Sequence, residues 1–142
     1  MEPSRHIYIV LLIFVMVCLT GCSSAAEAAS KITVDNLDEM PYNLSAQQAY
    51  EANETGEVLV LDVREVWEYE EGHVPGAVLI PLMKVENRLA EIPQDQHVIV
   101  TCRSGNRSGQ IAEFLTENGY TKVHNMTGGL LNWKALNFPI EK

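Results

Sequence analysis

From residue 45 onward, short apolar runs alternate with amphipathic stretches. Residues 58–61 and 98–100 are apolar at every position, which is typical of parallel strands that are covered on both faces. Residues 77–80, which end before Pro81, and residues 123–125 are predicted as two further strands. The pattern therefore predicts four short strands.

Helical patterns lie between these strands. Ser45 is the predicted N-cap of a helix that continues to about Asn53 and ends near Gly56. The other predicted helices cover residues 65–71, 82–92, the segment from the loop 102–108 to Asn118-Gly119, and residues 130–136. Strands and helices in this alternation favour an α/β fold with a central, mostly parallel sheet and helices on both faces. In such folds, ligands bind beyond the carboxyl ends of the strands.

The N-terminal segment has a different character. A thirteen-residue apolar run covers residues 7–19; it is shorter than the ~20 residues that span a bilayer and suits the apolar region of a signal peptide. Leu19-Thr20-Gly21-Cys22 resembles the lipobox of prokaryotic lipoproteins. That resemblance implies a lipoprotein signal peptide over 1–21 and acylation of Cys22. A short uncleaved anchor is the alternative, and both interpretations place the domain outside the cytoplasm, held on a membrane.

The rest of the chain is predicted to form one domain. Residues 22–31 are mostly small and are expected to be a flexible tether, while residues 32–142 suffice for one core and are too few for two.

The net charge of −9 argues against nucleic acid and anionic lipid headgroups as partners. The histidines at positions 6, 73, 97 and 124 lack metal-ligand spacing, so no metal site is predicted.

Cys102 is the strongest candidate for chemistry. It follows the strand-like residues 97–101 and opens the loop 102–108, after which a helical pattern begins. A helix N-terminus offers unpaired N–H groups and a positive partial charge, and Arg103 and Arg107 add full charges. We expect this setting to lower the thiol pKa and to favour the reactive thiolate.

The number of cysteines supports this interpretation. Cys18 is expected to leave with the signal peptide and Cys22 to carry lipid, so Cys102 is the only thiol expected to stay free. The alternative is that Cys102 is a small buried hydrophobic residue at the end of a strand.

Four stretches of the chain form a pattern when taken together. They are Leu61-Asp62-Val63-Arg64 with Glu68, Gly72-His73-Val74-Pro75-Gly76-Ala77, the cysteine loop 102–108, and Gly128-Gly129 with Trp133 and Pro139. In this combination they resemble the rhodanese family. The resemblance covers about residues 43–139 and keeps the family's order. It implies the rhodanese-like three-layer fold for residues 32–142 and sulfur transfer through a cysteine persulfide.

The resemblance also assigns roles outside the cysteine loop. The polar residues of the first two stretches are expected to brace loops near the site rather than to act as acids or bases; they are Asp62, Arg64, Glu68 and His73. The two tryptophans of this region, Trp67 and Trp133, are predicted to lie in the core, as large aromatic residues usually do.

The implied reaction has two steps at Cys102. The thiolate attacks the sulfane sulfur of a small-molecule donor such as thiosulfate, sulfite leaves, and a thiol or sulfide acceptor then takes the sulfur from the persulfide. Loop N–H groups are expected to converge as an anion nest, with Gly105 supplying a positive φ. Arg103 and Arg107 are expected to attract an oxyanion donor, and no cofactor is required. The predicted substrate-binding residues are Arg103, Ser104, Gly105, Asn106, Arg107 and Ser108.

Two other functions are left open. Cysteine phosphatases that share the rhodanese fold have five residues between their cysteine and arginine, whereas four separate Cys102 from Arg107 here. The shorter loop favours a sulfurtransferase. The stronger alternative is a rhodanese module that binds or relays sulfur to a protein partner without turnover.

Overall fold

Five parallel strands form a single sheet in a computed structural model that describes residues 30–142. The strands are β1 (Asn43–Leu44), β2 (Val58–Asp62), β3 (Val78–Leu79), β4 (His97–Thr101) and β5 (Val123–Met126). The α-helices are α1 (Ala46–Asn53), α2 (Val66–Glu70), α3 (Asn106–Glu117) and α4 (Gly129–Ala135). The 3₁₀ helices are Val34–Glu39, Leu82–Lys84 and Glu86–Glu91. The strand order across the sheet is β1-β5-β4-β2-β3.

Strand β4 lies in the middle of the sheet, between β2 and β5, and all five of its residues are buried. Its β-branched residues pack well on a pleated surface that is covered on both faces. The register pairs Asp62, the last residue of β2, with Thr101, the last residue of β4. Both strands therefore end side by side, and Cys102 begins the loop at this edge.

Two hydrophobic clusters cover the two faces of the sheet. Val60 and Ile99 pack with residues of α1, α4 and the first 3₁₀ helix. Leu61 and Val100 point to the other face, where they pack with α3 and with residues around the second and third 3₁₀ helices. Since neighbouring residues of a strand face opposite sides, this arrangement needs apolar residues at every position. The predicted α/β fold with helices on both faces is confirmed.

The prediction of one α-helix over residues 82–92 is wrong. This segment forms two 3₁₀ helices, and its N–H groups bond three residues back, as in Val85 to Leu82 and Ile92 to Leu89. Arg88 interrupts the second of them with φ −125°. Apolar residues spaced by three or four positions suit both helix types, so the spacing alone did not distinguish them.

Two elements near the start of the domain were not predicted. Strand β1 has only two residues, and apolar residues do not recur at a regular spacing in the 3₁₀ helix Val34–Glu39, so neither element leaves a pattern in the sequence. Strand β1 is attached to β5 by the bonds from Asn125 N–H to Tyr42 O and from Thr127 N–H to Leu44 O.

The expected signal peptide, the acylated Cys22 and most of the tether lie outside the described residues. None of the described helices is long and apolar enough to cross a membrane.

Candidate active site

The loop after β4 makes a tight turn into α3. Gly105 precedes the helix with φ +95°, a conformation that favours glycine. A Cβ atom at this position would lie 2.9 Å from the backbone nitrogen of Gly128. The turn directs the first N–H groups of α3 back toward Cys102.

The thiol of Cys102 is buried, with 1% of the residue exposed. Its Sγ accepts a hydrogen bond from the Gly105 N–H at 3.1 Å, and the Ser108 hydroxyl lies 3.5 Å away. Burial raises the pKa of the thiol, but bonds from the Ser108 hydroxyl and from the N–H groups of Ser108, Ser104 and Gly105 outweigh it. The pKa of Cys102 therefore lies below its ordinary value, so at a given pH a larger fraction of this thiol is ionised than in a free cysteine.

Ser108 also contacts a residue of β5 that sequence reasoning missed. Its hydroxyl donates to Asn125 Oδ1 at 2.7 Å, and Asn125 Nδ2 donates to Asn43 Oδ1 at 3.3 Å. A serine hydroxyl has one proton, so at any moment Ser108 can donate a hydrogen bond either to Asn125 or to the sulfur of Cys102. The only signal for Asn125 in the sequence is a polar residue within a predicted strand, and all four residues of β5 are buried in the structure.

Arg107 does not point freely into the site, because its guanidinium forms a bidentate ion pair with Glu68. Both N–O distances are 2.7 Å. The bond from Arg107 lowers the pKa of the Glu68 carboxyl to about 2, against the raising effect of burial. The same pair raises the pKa of Arg107. The pair joins α2 to α3, and a direct role for Arg107 in binding a donor stays a prediction.

Arg64 braces the neighbouring loop, as the family resemblance implied. Its guanidinium binds the Asp62 carboxylate, with the shortest distance 2.7 Å, and donates to the carbonyl oxygens of Glu68 and Gly72 at 2.9 Å and 3.0 Å. His73 is also structural, since its Nδ1 lies 3.0 Å from the Tyr69 carbonyl oxygen. These contacts fix the backbone on both sides of α2.

The remaining loop residues predicted from the sequence are Arg103, Ser104 and Asn106, and all three side chains are exposed. Helix α4 holds the backbone beneath them: the N–H of Leu130 bonds to Cys102 O at 2.9 Å, and that of Leu131 to Arg103 O at 3.0 Å. A cavity of about 350 Å³ opens between α2 and α4, with Arg103 in its lining. We call it the α2–α4 cavity.

The two tryptophans have different environments. Trp133 is buried, at 1% exposed, and donates to Pro139 O, as predicted. The prediction that Trp67 lies in the core is wrong, because it is 62% exposed and lines the α2–α4 cavity. In the five-residue helix α2, Glu68 takes the inward position to reach Arg107, so the preceding residue faces outward.

Within residues 30–142, no group of three or more His, Cys, Asp or Glu side chains is arranged to hold a metal ion. Cys102 is the free cysteine in this part of the chain. The site therefore consists of one thiol, the hydrogen-bond donors around it, and a cavity beside it.

The sequence profile of the family "Rhodanese-like domain" matches residues 45–136. The chain belongs to the rhodanese-like family. It is 38% identical over 87 residues to a sulfurtransferase of Allochromatium vinosum, which covers 61% of this chain and 81% of that protein. It is 30% identical to the thiosulfate sulfurtransferase GlpE of Pseudoalteromonas translucida over 66% of this chain and 89% of that one.

Solved structures agree with this rhodanese-like assignment. A rhodanese-related protein from Thermoplasma volcanium superposes with a TM-score of 0.66 at 28% identity, over 71% of this chain and 98% of that one. The rhodanese-like fold expected from the sequence is therefore confirmed.

Proposed function

We propose that this rhodanese-like protein is a sulfurtransferase that works through a persulfide on Cys102. In the first step, the Cys102 thiolate attacks the sulfane sulfur of a donor such as thiosulfate. The S–S bond of the donor breaks, and sulfite leaves with the bonding electron pair. In the second step, an acceptor thiolate attacks the outer sulfur, and Cys102 leaves as the thiolate.

The observation that carries this proposal is the environment of the Cys102 sulfur. A buried thiol with a lowered pKa and converging N–H donors is suited to hold a negative charge on sulfur, in both the free and the sulfur-loaded enzyme. No general base is needed when the thiolate is already formed. Two relatives named as sulfurtransferases, one of them a thiosulfate sulfurtransferase, support the same reaction.

The proposal is tested by loading the full-length protein with thiosulfate. We expect a gain of about 32 Da, for one sulfur atom, that dithiothreitol removes. Peptide mapping should place the sulfur on Cys102, and Cys102→Ser should take up none while keeping its circular dichroism spectrum. Hydrolysis of a phosphate ester without sulfur loading would refute the proposal and favour a phosphatase. Loading without transfer to any small acceptor would favour the relay module.

For the location of the protein, we propose that it is held outside the cytoplasm by lipid on Cys22. The support is the sequence alone: the lipobox-like Leu19-Thr20-Gly21-Cys22 after an apolar run too short to span a bilayer. Two or three acyl chains would anchor the protein firmly, since one chain binds only marginally. Cys22→Ala should lose both the acyl label and membrane association. A membrane-bound variant that keeps residues 1–21 would favour the uncleaved anchor instead.

A further inference from the structure

The α2–α4 cavity shares its wall with the cysteine loop. Arg103, the residue after Cys102, lines it, together with Leu130 and Leu131 of α4. The N–H groups of these two leucines bond to the carbonyl oxygens of Cys102 and Arg103. A ligand in the cavity would therefore lie beside the backbone that carries the sulfur.

The cavity has a surplus of positive charge. Its Arg64 is paired with Asp62, and its Glu68 with Arg107. Among residues 30–142, neither Arg103 nor Lys134 forms an ion pair. The other lining charge is that of Glu71, so two unpaired cations face one carboxylate. In a chain with a net charge of −9, this local excess of positive charge favours an anionic ligand.

The cavity also has an apolar wall, and its volume is larger than an inorganic ion would fill. Trp67 and Leu131 line it and are 62% and 50% exposed. Apolar side chains that line one cavity together offer a ligand a contiguous apolar surface, as binding grooves do. The volume of about 350 Å³ is in the range of small-molecule sites, which begins at roughly 300 Å³. A five-atom thiosulfate ion would leave most of it empty.

We propose that the α2–α4 cavity binds the sulfur acceptor, and that this acceptor is a small organic thiol carrying a carboxylate. The carboxylate pairs with Arg103 and Lys134, and the carbon skeleton packs on Trp67 and Leu131. The acceptor thiolate attacks the outer sulfur of the Cys102 persulfide. The S–S bond breaks, the electron pair returns to Cys102 Sγ, and the acceptor leaves as the persulfide. This inference rests on the proposed sulfurtransferase function.

Single-turnover discharge of the loaded protein tests the charge preference. Full-length protein is loaded with sulfur and desalted, and its discharge is followed with mercaptopropionate, mercaptoethanol and cysteamine, which are anionic, neutral and cationic. For the wild-type protein, we expect the discharge rate to saturate at a lower concentration of mercaptopropionate than of mercaptoethanol or cysteamine. Lys134→Glu should lower the ratio of mercaptopropionate to cysteamine rates about fivefold at low ionic strength. The matched control is Lys84→Glu, an exposed lysine outside the cavity, which should keep the wild-type ratio.

A binding measurement separates this inference from the proposed function. Trp67 is exposed and Trp133 is buried, so an unreactive thioether, methylthiopropionate, should quench the emission of Trp67. Quenching should be saturable, weaker in Lys134→Glu and lost in Trp67→Phe.

Normal sulfur loading with no saturable quenching would overturn the acceptor site alone. Quenching without sulfur loading would overturn the proposed function and the acceptor role with it, and would leave only a carboxylate-binding cavity. Equal discharge ratios in Lys134→Glu and wild type, or no saturation by any small thiol, would also overturn the inference, the latter favouring a protein-borne acceptor.

Discussion

The ion pair between Glu68 and Arg107 gives the most quantitative prediction. Glu68 is 9% exposed at its side chain and is held by two bonds of 2.7 Å from Arg107. Glu68→Gln keeps the size and one acceptor oxygen but removes the charge. We expect this variant to be less stable at neutral pH, because Arg107 loses its charged partner while remaining two-thirds buried.

The size of the effect follows from the pKa of Glu68, which falls from 4.5 to about 2 on folding. This corresponds to about 3 kcal/mol at pH 7, since one pKa unit is equivalent to roughly 1.4 kcal/mol. Solvent screens the pair, since the Arg107 side chain is 33% exposed, and we therefore expect a loss of about 2 kcal/mol in the free energy of unfolding.

The sign of the pH dependence is fixed by the lowered pKa. Between pH 4.5 and pH 2, Glu68 binds more protons in the unfolded chain than in the folded one. The stability that the carboxylate provides is therefore complete above about pH 5 and is lost as the pH falls toward 2. At pH 3, the difference between wild type and Glu68→Gln should shrink to less than about half of its value at pH 7.

Urea unfolding at both pH values, followed by far-UV circular dichroism, measures this difference. Glu70→Gln is the matched control, since Glu70 lies on the same helix with its side chain exposed, and it should change stability by less than about 0.5 kcal/mol. An equal loss for Glu68→Gln at pH 7 and pH 3 would show that the charge of the pair is not what stabilises the fold.

Two further variants test the cysteine loop. Ser108→Ala should raise the pKa of Cys102, slow its alkylation at neutral pH and cost about 1–3 kcal/mol, because Asn125 Oδ1 loses its donor; alkylation at the wild-type rate would contradict this. Gly129→Ala should destabilise the protein more than Gly56→Ala in thermal unfolding. Both glycines have positive φ, but only at Gly129 would the new Cβ collide with another atom, Cys102 O. Equal losses in the two glycine variants would mean that the contact with Cys102 O is unimportant.

The sequence was sufficient for the parts of the site that are local. Cys102, the loop and the start of α3 follow one another within seven residues, so strand pattern, glycine and helix start could all be recognised together. The central strands β2 and β4 were equally clear, because burial on both faces requires uninterrupted apolar runs.

The contacts that decide the chemistry of the loop join distant positions, and the sequence did not reveal them. Arg107 is 39 residues from Glu68, and Ser108 is 17 residues from Asn125. From the sequence, Arg107 was free to serve a substrate; in the structure its charge is shared with a carboxylate. Trp67 was misplaced for the same reason, since the inward position of its short helix was already taken by Glu68.

The single proton of Ser108 also makes β5 a reporter of what happens at the sulfur. We expect that a Ser108 proton turned toward the Cys102 thiolate, 3.5 Å away, gives up its 2.7 Å bond to Asn125 Oδ1. The hydrogen bonding of the Asn125 amide therefore depends on whether Cys102 is ionised. In isotope-labelled protein, the Asn125 side-chain NMR resonances should titrate with the Cys102 thiol and shift again on sulfur loading, so turnover can be watched without a label on the nucleophile.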